Sequence, residues 1–217
     1  MKSIWAVAKR NFSSTLVALI ITMVVVLLAT TSPDSEFVVS KGNYTWLYII
    51  MIPFFVVFSS FKKLINLNAS KKAYYLGSIL TYIVSALGVS AVNILIHLTI
   101  DKLYPSQNVI NLMELCNWWQ NGIILSFLQQ SIFLFMSALF LHVLLSMQPY
   151  WYGWLTDIII IAIICIFIPI APLRELLASF FQIIMFNSLA WLHIITCILI
   201  SMVCYFIGLV IIKQKSI

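Results

Sequence analysis

The sequence predicts an all-α, polytopic membrane protein with six transmembrane helices, an amphipathic N-terminal interfacial helix and an outer re-entrant element before the last span. Three observations carry this prediction. Of 217 residues, 63% are hydrophobic and 8% charged, against roughly 45–50% and 25% in soluble domains, and the mean hydropathy is +1.10. Apolar runs recur at the ~17–25 residues that a hydrocarbon core of about 30 Å demands. The basic residues collect in short clusters beside those runs, as membrane orientation requires. A lipid bilayer is therefore the expected surrounding of one transmembrane domain, residues 1–217, and the net charge of +6 implies no nucleic-acid partner.

The elements follow in order. Over residues 1–12, Ile4, Trp5, Val7, Ala8 and Phe12 fall on one side of a helix. Lys2, Ser3, Lys9 and Arg10 fall on the other, with Asn11 as the misfit. This predicts an interfacial helix on the cytoplasmic face. Phe12–Thr31 exceeds the usual apolar region of a signal peptide and has no cleavage motif after it, so it reads as the first span. Five more spans are expected near Tyr44–Phe61, Tyr74–Ile100, Gly122–Met147, Leu155–Pro172 and Asn187–Ile212, with a kink at Pro53. Within Asn108–Asn121, Leu112, Leu115, Cys116 and Trp119 form a stripe opposite Glu114, Asn117 and Asn121. That pattern predicts a second interfacial helix, with Trp118 and Trp119 near the headgroups. Leu176–Phe186 is apolar but too short to cross, so residues 173–187 are expected to be re-entrant on the outer side.

Orientation follows from Lys and Arg. With the amino terminus inside, nine are cytoplasmic (Lys2, Lys9, Arg10, Lys62, Lys63, Lys71, Lys72, Lys213, Lys215) and three are outside (Lys41, Lys102, Arg174). Five acids, Asp34, Glu36, Asp101, Glu114 and Glu175, fall outside, and Asp157 lies near the inner side. The bias predicts a multi-pass protein of the cell membrane with both termini cytoplasmic. Cys116 is expected outside and open to a thiol reagent, with Ser70 and Ser216 inside.

The most informative stretch is Phe61–Leu80, FKKLINLNASKKAYYLGSIL. Lys62–Lys63 and Lys71–Lys72 bracket Leu64, Ile65 and Leu67. Ser70 is placed to cap the helix that continues through Tyr74 and Tyr75. A short amphipathic element between two spans suits transmission of force from a soluble partner. A positive-inside anchor, with Tyr74 and Tyr75 in the aromatic belt, is the alternative.

This stretch resembles the loop between the second and third spans of small ABC-2-type ABC transporter permeases of Gram-positive bacteria. The matching residues are Ala69-Ser70-Lys71-Lys72 and Tyr74-Tyr75-Leu76-Gly77, with Asn68-Ala69 where the family theme has glycine before its Ser-Arg pair. The layout of amino-terminal helix, six spans and outer hairpin matches as well. The resemblance implies that residues 61–75 form a coupling loop seated in an ATP-binding cassette subunit, with Lys62, Lys63, Leu64, Ile65, Leu67, Ser70, Lys71, Lys72 and Tyr74 as coupling residues. It further implies a second permease chain, homo- or heterodimeric, and export of a peptide or amphipathic compound.

No GxxxxGK[ST] occurs, so ATP and Mg are expected on the partner subunit, with no cofactor in this chain. No catalytic set is found, and no HExxH, CxxC or other metal-ligand spacing. His97, His142 and His193 lie on three spans without a paired carboxylate nearby in sequence, and packing or interfacial roles are expected for them. Asn93, Gln129 and Gln130 are the candidate pathway residues, with hydrogen bonding between helices as the alternative. Gly77, Thr81 and Ser85, beside Ala86 and Ser90, form a small-residue stripe for close packing within the chain or between two chains. Tyr150, Trp151, Tyr152 and Trp154 read as an aromatic belt or a second ATPase contact. Two other classes compete with the permease: the substrate-binding S component of a vitamin importer, and an intramembrane enzyme.

Overall fold

A computed structural model describes residues 2–29, 37–103 and 108–215. Thr31, Asp34, Glu36 and Ser216, used above for the first span and for orientation, lie outside the described residues. Within them the chain is mainly helical, the solution that satisfies backbone groups where water is absent. Among the described residues, four helices are long and apolar enough to cross a membrane, or up to six if each of two bent pairs is one span. The architecture is all-α and polytopic.

The first bent pair is α1 (Lys2–Ser14) and α2 (Leu16–Leu28), joined at 44°. Val7, Ala8, Asn11 and Thr15 are buried, whereas Trp5 is 63% exposed. Asn11 therefore stands within the packed stripe, and its amide donates to Ser78 Oγ at 3.4 Å and Thr81 Oγ1 at 3.5 Å. Both acceptors belong to α6 (Lys71–Thr99), so α1 packs on the bundle. Gly77 permits this approach, because a Cβ there would stand 2.5 Å from Val7 Cγ1 and 3.0 Å from the Ile4 carbonyl. The small-residue stripe thus serves packing within the chain along its first half.

Next, α3 (Lys41–Tyr44), α4 (Trp46–Phe54), a π-helical segment (Phe55–Ser60) and α5 (Phe61–Asn66) make one helix of 26 residues. The irregularity expected from Pro53 appears as the widened turn that follows it. The Tyr74 hydroxyl donates to the Val56 carbonyl there at 2.9 Å, as neighbouring helices commonly do for disturbed backbone in membranes. The end of α5 is a Schellman cap. The Ala69 N–H bonds to the Leu64 carbonyl at 3.0 Å and the Asn68 N–H to that of Ile65 at 2.9 Å, with Asn68 at φ 60°. Ser70 Oγ then accepts from the Ala73 N–H at 3.1 Å and starts α6, the predicted cap. Residues 67–70 are all that separates the two helices. The separate amphipathic element expected within 61–75 is absent, because one cap follows directly on the other.

The core lies between α6, α8 (Ile123–Met147) and α11 (Ala190–Gln214), with α4 packed against α8. Tyr74, Tyr75 and Tyr82 are fully buried around His142, whose Nδ1 meets the Tyr82 hydroxyl at 2.6 Å. The Tyr75 hydroxyl donates to the Tyr205 carbonyl at 3.0 Å. The aromatic-belt reading of Tyr74 and Tyr75 is overturned. Three tyrosines and a histidine bury together because each polar tip has a partner within reach.

The second bent pair, α9 (Trp151–Phe167) and α10 (Ala171–Ile184), turns by 119°. Gly153 and Ile184 are its buried residues, so the pair lies along the bundle and exposes most of its apolar surface. At the end opposite the 67–70 turn, β1 (Phe37–Val39) pairs in parallel with β2 (Asn108–Ile110). The interfacial helix expected across Asn108–Asn121 is replaced by this strand, by α7 (Leu112–Leu115) and by a short 3₁₀ turn. Asn111 caps α7 through the Met113 N–H at 3.0 Å, and Asn117 at φ 60° ends it. Met113, Cys116 and Trp118 are fully buried while Leu115 is exposed, so neither the predicted stripe nor the headgroup position of Trp118 holds.

Candidate functional site

The predicted coupling residues divide sharply. Lys62, Lys63, Leu67, Ser70 and Lys72 are exposed, with Leu67 at 67%, whereas Leu64 and Tyr74 lie in the core and Ile65 is half-buried. Leu64 and Tyr74 cannot meet a partner, since the helices joined by the turn bury them against each other. Two of the others are engaged locally: Lys63 Nζ donates to Ser59 Oγ at 3.2 Å and Lys71 Nζ to the Lys213 carbonyl at 3.1 Å. Lys71 thereby completes the carboxyl end of α11, where a cation is favoured.

Lys215, just beyond α11, packs on the start of α5. Its ammonium sits 4.4 Å from the centre of the Phe61 ring, a cation–π contact. Burial and then the nearby Lys62 push its pKa down to about 8. Tyr152 reaches Gln214 at 3.3 Å, and Gln148 donates to Asp157 at 2.8 Å. One end of the bundle therefore gathers the 67–70 turn, Gln148 with the start of α9, and the last residues of α11. Trp151 and Trp154 are exposed there. Neither Phe61 nor Lys215 carried a sequence signal beyond charge and hydropathy.

All three candidate pathway residues are fully buried. Asn93 Oδ1 accepts from Asn111 Nδ2 at 3.2 Å, and Gln129 Oε1 from Asn121 Nδ2 at 3.0 Å. Gln130 has no hydrogen-bond partner at either amide atom.

Asn93 leads to a network that the sequence reading missed. Asp101 accepts from Ser40 Oγ at 2.8 and 3.0 Å and from Asn111 Nδ2 at 3.3 Å. It also faces His97 Nδ1 at 3.1 Å, while His97 Nε2 lies 3.5 Å from Glu114. Burial works to raise the Asp101 pKa, but bonds from His97, Ser40 and Asn111 outweigh it and hold the carboxyl below its ordinary value. The i, i+4 spacing of His97 and Asp101 is the signal that was available in the sequence. The network ties the start of α3, the end of α6 and the segment before α7 into one block.

No protein-family model, curated protein or solved structure matches this chain.

Proposed function

We propose that this chain is the membrane-spanning subunit of an ABC-type transporter, crossing the cell membrane six times with both termini in the cytoplasm. One observation carries the reading: the exposed, lysine-flanked Leu67 stands on a four-residue turn fixed directly to two long core helices. A push on such a turn moves both helices, because Tyr74 and Phe61 lock it to the core. The pairings at the two ends support six crossings. Lys71 with Lys213 and Tyr152 with Gln214 mark one end; Ser40 with Asp101 and Asn121 with Ser188 mark the other. ATP and Mg belong to a separate ATP-binding subunit, a second permease chain completes the assembly, and the exported compound is a peptide or another amphipathic molecule.

The purified chain is expected to hydrolyse no ATP by itself. With its ATP-binding subunit in proteoliposomes it should support ATP-dependent peptide movement. Retention of a vitamin by the purified chain, or turnover of a substrate without the partner, would instead favour an S component or an enzyme.

Topology has its own test. Cys116 is fully buried, and burial pushes its thiol up to about 12, so it is expected to stay silent towards an impermeant thiol reagent. A cysteine at the exposed Gln120 should be labelled in intact cells, and one at Ser70 labelled once the cells are opened. Labelling of Ser70→Cys in intact cells contradicts the orientation.

A further inference from the structure

The bend between α1 and α2 opens a space beside the bundle. Through Val7 and Asn11, α1 packs along the first half of α6. Turned away by 44°, α2 packs chiefly on α3 and α4 instead. This leaves a wedge-shaped cavity of about 480 Å³ between α2 and α6, a size ordinary for small-molecule sites. Leu19 and Leu27 belong to one wall, Ser85 and Ile96 to the other, and Tyr48 of α4 to a third. Met23, Leu27 and Val92 line the cavity and are also exposed. It therefore opens sideways, onto the apolar surface that faces lipid.

The walls offer almost nothing to a polar ligand. Thr22 Oγ1 donates to the Ala18 carbonyl at 2.9 Å and Thr45 Oγ1 to that of Gly42 at 2.6 Å. The Tyr48 hydroxyl meets Thr15 Oγ1 at 3.3 Å. Ser85 Oγ is the one side-chain polar atom of the lining without a partner, and it is buried. A bound water needs about two to four polar partners, so this cavity does not hold water in place. Left empty, its lining would forfeit dispersion contacts. Depth is informative too. Ser85 stands at the middle of α6 and Ile96 one turn from its end. They are about 16 Å apart along the helix, close to half of a hydrocarbon core of about 30 Å.

We infer that this cavity holds one acyl chain of a membrane phospholipid, lying along α6 in the leaflet at the Ser40–Asp101 end. An acyl chain asks for no hydrogen bond, is the material onto which the mouth opens, and reaches through one leaflet. A wedge that closes towards the bend suits a flexible chain. A helix of a second copy is a rigid cylinder about 10 Å across and would seat only at the mouth. Gly88 contributes room, because a Cβ there would meet nothing within 4 Å. The inference rests on membrane insertion alone; the lipid is a resident of the fold, and the transport reading is not needed for it.

Gly88→Leu fills the cavity from within. It should unfold no earlier than the wild type in SDS-containing micelles, since its side chain enters open space and replaces a poor helix former. The probe is a phosphatidylglycerol with a photoactivatable diazirine near the end of one acyl chain, mixed into phosphatidylethanolamine–phosphatidylglycerol vesicles holding the chain. After illumination, labelled residues are mapped by peptide mass spectrometry. Val89 lines the cavity and is buried, whereas Leu199 and Val203 of α11 are exposed to bulk lipid. In the wild type, Leu19 and Val89 should be labelled at least as strongly as Leu199 and Val203. In Gly88→Leu, labelling of Leu19 and Val89 should fall about tenfold, the effect of losing two buried methylenes, with α11 unchanged. Should Gly88→Leu prove less stable, Val92→Trp fills the same space from an exposed position and is read the same way. Wild-type labelling confined to α11 overturns the inference, and so does labelling of Val89 that survives both variants. Wild-type dimers that shield Leu19 and Val89, and that come apart in Gly88→Leu, would give the cavity to a second copy and overturn it as well.

Discussion

Asp101→Ala should destabilise the folded protein by about 3 kcal/mol, the loss expected when one partner of a buried charged network is removed. The carboxyl accepts from Ser40, Asn111 and His97 at 2.8 to 3.3 Å, and its side chain is 7% exposed. Alanine leaves those polar groups short of an acceptor and unties α3, α6 and the segment before α7 together. Gly42→Ala should reproduce part of this from a distance, because its Cβ would collide with Asn93 Oδ1. The folded carboxyl titrates below its ordinary value. Its contribution is therefore complete above the unfolded value of about 3.9 and is lost as pH falls through the folded one. Reversible unfolding in mixed micelles, run at neutral and acidic pH, measures both effects. Asp101→Ala unfolding at the wild-type midpoint at neutral pH would mean that the network does not hold this end together.

Helix positions were legible because long apolar runs leave the backbone no other solution in lipid. Gly122–Met147 was expected and Ile123–Met147 is found. The Ser70 cap was legible for a local reason, since it needs one hydroxyl three residues before one amide. Burial was harder to read. Leu64 and Leu67 looked equivalent between two lysine pairs, but a short element carries too few residues to fix its inward face. Asn11 was set aside as a misfit because hydropathy cannot register a polar side chain whose partners, Ser78 and Thr81, lie more than 60 residues away. The same distance hid Ser40 from Asp101. Asn68 and Asn117 end helices at positive φ, a backbone role that apolar periodicity does not encode. His97 and Asp101, by contrast, stood four residues apart in plain view.

The second large effect belongs to the exposed turn, where neighbouring leucines have opposite surroundings. Leu64→Asp would put an unpaired carboxylate into the core, at a cost of several kcal/mol of stability, and should leave little folded protein. Leu67→Asp touches a residue that is 67% exposed, so folding and insertion should be as in the wild type. If Leu67 seats in an apolar groove of an ATP-binding subunit, the same charge desolvated there should cost several kcal/mol of assembly. Lys72→Gln, also exposed and without such a seat, should insert and assemble normally. The most direct measurement is therefore co-purification of Leu67→Asp with a co-expressed ATP-binding subunit that the wild-type chain retains, scored against the amount of inserted protein. Normal insertion with the partner lost is the result predicted, and full partner stoichiometry with transport intact would contradict the coupling role.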